Sequence, residues 1–199
     1  MISSMKPMDQ AQGELPRPIQ IDLQSGSMGR DPRIERASKT IGDLANVFED
    51  ERLRSGMDRD RLVYAVEYWK PVAEGVEGGL YWGNSTVFPG RVGEEYFMTR
   101  GHFHRRRDRA EYYATVSGTG MLVLMDEKRS SSVQEMSAGT THYIPGFTAH
   151  RVVNTGAVPL TFLACWPSDA GYDYRTIEEQ GFSVRVLYRD GRAEVVRQG

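Results

Sequence analysis

The chain has 199 residues, 39% hydrophobic and 10% aromatic, which suffices for one sizeable core and argues against wholesale disorder. Its formal net charge is −2 with both signs abundant, so nucleic acid and membranes are not expected as main partners. A single cysteine, Cys165 in "LTFLACW", excludes an intrachain disulfide and reads as a buried strand thiol. The first residues contain no apolar signal region and no run is long enough to span a bilayer, so a cytoplasmic protein is expected.

Residues 1–18 are polar and carry Pro7, Pro16 and Pro18, which predicts a flexible or extended arm ahead of a single domain over 19–199. The arm either stays disordered or adds a strand to a partner subunit. "PIQIDLQSG" reads as a short strand closing in a turn. "TIGDLANVFEDERLRS" (40–55) is the one convincing helix: Thr40 caps it, Asp43 sits at N3, and Ile41, Leu44, Ala45 and Phe48 form an apolar face. From residue 61 onward the chain reads as strands, in "RLVYAVEYWKP", "GLYWGNSTVFPG", "EEYFMTRGHFH", "EYYATVSGTGMLVLMDE", "TTHYIPG", "AHRVVNTG", "PLTFLACWP" and "FSVRVLYRDGRAEVVR". Asp190-Gly191 between two strand-like runs is a hairpin signal. Many short strands without βαβ alternation predict an all-β sandwich or barrel, most simply a jelly roll.

The chemistry concentrates in "GHFHRRRDRAEYY" (101–113). Residues two apart on a strand point to one face, so His102 and His104 project together. Glu111 opens the returning strand where it can face the same interior. His150 follows the Pro145-Gly146 turn at the start of another strand. Each feature has an ordinary explanation: an isolated His-x-His is usually a strand pair, and Glu111 alone could balance the arginines. Together they outline three imidazoles and a carboxylate around one ion, a donor set that suits iron, manganese, nickel, cobalt or zinc, with six-coordination disfavouring zinc. His142 lies outside the pattern and reads as structural or exposed. "RRRDR" reads as a solvated hairpin tip in preference to a phosphate contact.

G-x-H-x-H, then Glu, then Pro-Gly and a later His resembles the motifs of the cupin superfamily, which implies a jelly-roll β-barrel with the metal inside. "TVFPGRVGEEYFMTRGHFH", "DRAEYY", "GTGMLVL", "YIPGFTAHRVVNTG", "PLTFLA" and "PSDAGYDYRTIEEQGFS" together resemble the cupin-type glucose-6-phosphate isomerases over roughly residues 62–188. That resemblance implies interconversion of glucose 6-phosphate and fructose 6-phosphate, one divalent metal per subunit with Fe2+ first in expectation, and a homodimer. The ligands would be His102, His104, Glu111 and His150. The phosphate would fall to Thr99 and Gly101 with Ser85 or Thr86, while Tyr113 and Tyr174 line the sugar-phosphate pocket. Trp166 and Arg61 stand at positions where the family places tyrosines, and an arginine at 61 could pair with phosphate. Tyr64 is allowed as a pocket wall.

In such a site Glu111 is the candidate base for an enediolate route. A hydride shift needs no base, and in either route Tyr113 would orient or protonate a sugar oxygen. Two other functions share the ligand set: a dioxygenase, and a non-catalytic cupin that binds sugar phosphate. The Thr99–Gly101 cradle favours the isomerase, because an oxygenase has no evident need of it.

Overall fold

The computed structural model describes residues 15–198; most of the expected arm, residues 1–14, lies outside them. Residues 15–33 contain the turn expected in "PIQIDLQSG" and no strand. The Asp22 carboxylate accepts from the Gln24 N–H and the Ser25 hydroxyl, local bonding that competes with strand pairing.

Strand β1 (Ile34–Thr40), too polar to be foreseen, pairs antiparallel with β2 (Leu62–Trp69). The long helix expected between them is a correction. Only a 3-10 turn at Ile41–Asp43 and the short helix α1 (Glu51–Ser55) form. Asp43 does accept the Thr40 N–H at 2.9 Å, but Asn46 takes φ +62°, which no continuing right-handed helix permits. Ile41, Leu44 and Phe48 are buried as expected, whereas Ala45 is exposed.

The remaining elements follow the expected runs with four additions. They are β3 (Leu80–Val87), β4 (Arg91–Val92), β5 (Glu95–Tyr96), β6 (Phe103–His104), β7 (Glu111–Ser117), β8 (Thr119–Asp126), β9 (Ser131–Ser137), β10 (Thr141–Ile144), β11 (Thr148–Asn154), β12 (Leu160–Pro167), β13 (Tyr172–Asp173), helix α2 (Arg175–Gln180), β14 (Val184–Arg189) and β15 (Arg192–Arg197). The additions are the two-residue strands β4 and β13, polar β9 and short α2. Asp173 starts α2 by accepting the Thr176 N–H and hydroxyl. Asp190 and Gly191 both take positive φ, as a tight two-residue hairpin requires.

Six strands form one antiparallel sheet in the order β1-β2-β3-β12-β7-β10, and β11-β8-β9 form a second. Two smaller sheets, β13-β6 and β15-β14-β5-β4, close the ends. The chain is therefore all-β and jelly-roll in kind, with its strands divided among separate sheets in place of one continuous hydrogen-bonded ring. One buried cluster joins Val87, Phe162 and Tyr113 of the large sheet to Leu122, Met136 and Val152 of the three-stranded one. Truncating a fully buried ring such as Phe162 to alanine costs about 3–5 kcal/mol.

Candidate active site

The histidines meet because of backbone pairing. His102 and His150 form an isolated antiparallel bridge: the His102 N–H donates to the His150 carbonyl at 3.3 Å and the His150 N–H to the His102 carbonyl at 3.1 Å. Directly opposed residues project to one side, and their ring centroids lie 4.5 Å apart. Two residues on, His104 returns to the same side, 5.4 Å from the His150 ring. One nitrogen from each of the three rings lies within 4.8 Å of the other two. Gly101 permits the approach: it takes φ +76°, and a Cβ there would stand 2.7 Å from Phe182 and 3.0 Å from the His150 carbonyl.

The fourth expected ligand joins two of these rings. Glu111 Oε2 is 3.2 Å from His104 Nε2 and 3.2 Å from His150 Nε2, and the carboxylate is buried. The His104 Nδ1 lies 2.8 Å from the Arg109 carbonyl. A carbonyl only accepts, so Nδ1 carries the proton and Nε2 faces the centre. Burial and the neighbouring His150 and His104 rings push the His102 pKa well below its ordinary value, which keeps that ring neutral. Burial alone would raise Glu111, but bonding to His104 and His150 outweighs it and holds the carboxyl below the usual range. Burial likewise pulls His104 down, and the Glu111 carboxylate reverses the direction.

The residues present fit a metal ion. His102 Nε2 and His150 Nδ1 are buried without a hydrogen-bond partner, and His150 Nε2 has only the Glu111 carboxylate at 3.2 Å. Orphaned buried polar atoms each cost about 1–3 kcal/mol, and a cation receiving the two Nε2 lone pairs relieves that cost. Three imidazoles beside a carboxylate are a donor set suited to a divalent ion of the borderline class.

Above the histidines opens a cavity of about 130 Å³. Alternation along the large sheet selects its wall: Tyr64, Val66 and Tyr68 from β2, Gly83 and Ser85 from β3, Phe162, Ala164 and Trp166 from β12, Glu111 and Tyr113 from β7. Tyr68, Gly83, Ala164 and Tyr113 form one cross-strand row, with small residues between two phenols. Opposite stand Thr99, Arg100, Gly101, His102 and His150, and Tyr172 and Tyr174 close the mouth. Burial raises the pKa of Tyr64 to about 12 and pushes Tyr113, Tyr68 and Tyr172 upward, so these phenols stay protonated and act as donors.

Ser85, Thr99, Gly101, Tyr113 and Tyr174 thus come together with the ligands. Two expected positions do not. Thr86 points to the other side of β3 and its hydroxyl bonds Thr161 at 3.1 Å, the consequence of a one-residue shift along a pleat. Arg61 lies outside the cavity, exposed before β2, with its guanidinium 5.0 Å above the Phe97 ring. Trp166 does line the cavity. Its ring covers Gly83, where a Cβ would be 2.8 Å away, and its indole N–H reaches the Tyr172 hydroxyl. Tyr68, Tyr172, Arg100 and Lys39 also line the cavity without having been singled out as site residues; the tyrosine-rich "GYDY" was the available signal for Tyr172.

The "RRRDR" segment is solvated at Arg105, Arg106 and Asp108, as expected of a tip, but it is also anchored. Arg106 and Arg109 both pair with Asp169, whose side chain is 4% exposed, and Arg107 pairs with Asp173 and covers the Phe103 ring at 4.2 Å. The Phe147 N–H donates to the Arg107 carbonyl, and Gly146 leaves room for that loop: a Cβ there would meet the Asp108 backbone at 2.8 Å. These ion pairs fasten residues 167–176, the strap that carries Tyr172 and Tyr174, to the ligand strand. The antiparallel pair Tyr172–His104 completes the attachment.

Fold and site define the class: a jelly-roll protein with a histidine-rich metal centre inside a tyrosine-lined cavity. A family model described as glucose-6-phosphate isomerase matches residues 38–199. The glucose-6-phosphate isomerase of Thermococcus kodakarensis is 39% identical, covering 92% of this chain and 96% of that one. The enzyme of the same name from Pyrococcus horikoshii is 39% identical over 91% and 94%, and that of Sinorhizobium medicae 36% over 86% and 80%. Among solved structures, Bacillus subtilis oxalate decarboxylase aligns at 24% identity with a TM-score of 0.44, covering 55% of this chain and 27% of that one. The chain belongs to the glucose-6-phosphate isomerase family. Among the described residues no helix is long and apolar enough to cross a membrane.

Proposed function

We propose that the cavity interconverts glucose 6-phosphate and fructose 6-phosphate, with His102, His104, Glu111 and His150 holding one divalent metal ion. The carrying observation is the juxtaposition, in one enclosed space, of this donor set with protonated phenols and the Thr99–Gly101 bend. Bound there, the ion acts as a Lewis acid that polarises the sugar's carbonyl and hydroxyl oxygens.

The chain's own groups supply the rest. The Thr99 hydroxyl already accepts from the Val152 N–H at 3.0 Å, so its proton is left to donate into the cavity. With Ser85 and the Gly101 backbone it forms a neutral cradle for the phosphate. Arg100 and Lys39, also lining the cavity, add charge. Tyr113, kept protonated by burial, donates to a sugar oxygen, and Tyr174 flanks the chain of the substrate. Glu111, held ionised, takes the proton from C1 of the ketose and returns it to C2, while a second proton passes from O1 to O2.

A second route is favoured by one observation: the Glu111 carboxylate is already engaged within 3.2 Å of two imidazoles, which makes it a weak base. In that route hydrogen moves directly from C1 to C2 with its electron pair. Turnover in heavy water separates them: deuterium entering the product supports the Glu111 route, and full turnover with none assigns the direct shift. A coupled assay from fructose 6-phosphate, with chelator and with metals restored, tests the activity itself. A folded, metal-loaded protein that fails to turn over would overturn it. Mannose 6-phosphate belongs in the same assay, since only C2 differs.

The resident ion is proposed to be Fe2+, which suits imidazole with carboxylate at six-coordination, ahead of Mn2+, Ni2+, Co2+ and Zn2+. The chain is proposed to work as a cytoplasmic homodimer in glycolysis and gluconeogenesis. The exposed Tyr112–Tyr143 ring pair on the outer face of β7 and β10 is the kind of surface such a dimer covers.

A further inference from the structure

Behind the Thr99–Gly101 bend lies a second cavity of about 200 Å³, which shares Arg100 with the first. Its walls carry three arginines, Arg100, Arg151 and Arg185, against a single acid, Glu178. Glu178 pairs with Arg100 at 2.8 Å. Outside the lining, Glu95 pairs with Arg185 at 2.6 Å, and Glu49 stands 3.8 Å from the same guanidinium.

Arg151 has no such partner. It is only 5% exposed, it lies 4.5 Å over the Phe182 ring, and it donates twice to the Arg100 carbonyl, at 3.2 and 2.6 Å. Among the described residues no carboxylate comes within ion-pair distance of it. Two further donors, Arg100 Nε and Arg185 Nε, are buried with no acceptor at all. The Gln180 and Gly181 carbonyls, which end this wall, accept from Arg129. A buried cation without a counter-ion is costly, and so is an orphaned N–H; here both kinds of group line one cavity.

We propose that this cavity is a second anion site, in which Arg100, Arg151 and Arg185 hold a small phosphate-type oxyanion separate from the substrate. Guanidinium is the side chain suited to such a ligand, since its planar donors match phosphate oxygens in pairs. The site touches the reaction at Arg100, which lines both cavities, and through the backbone: Arg151 fixes the carbonyl between Thr99 and Gly101, next to His102. An occupant that engages Arg151 therefore stiffens the bend on which the first cavity is built.

The test is calorimetric titration of inorganic phosphate into the full-length, metal-loaded protein, with no sugar present. Asn46 and Gln180 line the second cavity at exposed positions and not the first, so Asn46→Asp and Gln180→Glu place a carboxylate beside the arginines without disturbing the core. Aspartate also tolerates the positive φ at 46. The expected result is a phosphate-binding component that each substitution weakens by about tenfold or more, with the KM for fructose 6-phosphate unchanged. Phosphate binding that is absent, or equal in both variants and the parent, would overturn the site and leave the arginines a structural role. Glycerol phosphate in parallel identifies the source: binding comparable to that of phosphate points to a phosphorylated metabolite, and binding of phosphate alone to the free ion. Because the phosphate titration itself involves neither sugar nor turnover, its outcome stands apart from any failure of the isomerase reading.

Discussion

The two sides of the cavity are held by different forces. The ligand side, residues 99–111 with β11, is fixed by main-chain hydrogen bonds: the His102–His150 bridge, and the Thr99 N–H donating to the Val152 carbonyl at 2.9 Å. The strap over the mouth, residues 167–176, has main-chain bonds as well, from the Arg105 and Arg106 N–H groups to the Gly171 and Ala170 carbonyls, but adds to them ion pairs reaching Asp169 and Asp173 from the "RRRDR" loop. Main-chain bonds on a buried strand are indifferent to salt, whereas part-exposed ion pairs are screened by it. The three histidines thus rest on salt-independent bonds, and the strap carrying Tyr172 and Tyr174 rests in part on bonds that salt can loosen.

The sharpest way to test the ligand side is through its chemistry. Glu111→Gln is expected to lower kcat by about 10²–10⁴-fold, read by steady-state assay alongside metal content, while the fold persists. A smaller effect should follow from the bend. Thr99→Val removes a donor to a charged group, a loss of about 1.5–3 kcal/mol, so KM for the hexose phosphates should rise roughly 10- to 100-fold with metal content unchanged. On the strap side, Arg107→Leu is expected to raise KM several-fold, about 1 kcal/mol or less, and to leave kcat nearly alone. Salt added to the parent protein should mimic it. A strap variant that lost metal as readily as substrate would erase the distinction between the two sides.

The smallest expected effect lies away from the cavity. Burial lowers the pKa of His142, whose ring bonds Thr140 and Gln134. The unfolded chain then binds the proton more readily than the folded one, so stability is full above the ordinary value of 6.5 and declines as pH falls below it. His142→Asn should flatten that part of the melting-temperature profile between pH 7 and pH 5, and an unchanged slope would show the ring to be indifferent to the fold.

How much could be seen in advance depended on the range of the interaction. The pairing of His102 with His104 follows from strand alternation, and Glu111 and His150 from the turns before them, all local rules. Alternation also separates Ser85 from Thr86, but only once the strand's inner face is known. The partners of the arginines could not be read: Asp169 and Asp173 lie about sixty residues away, and nothing near "RRRDR" marks the loop as anchored. The helix over 40–55 failed for a local reason that was visible, an asparagine suited to left-handed backbone at position 46. β1 and β9 escaped because their sequences, "IERASKT" and "SSVQEMS", owe their strand form to neighbours and not to their own composition.

The His102–His150 bridge also bears on how the protein comes into being. It closes a loop running from residue 102 to residue 150 and containing β6 through β10, so His150 joins the other two imidazoles only when that loop closes. Contacts of such long sequence separation arise late, after loop-closure entropy has been overcome. The three-histidine cluster is thus a product of the closed loop, and before closure the chain offers the His-x-His pair alone.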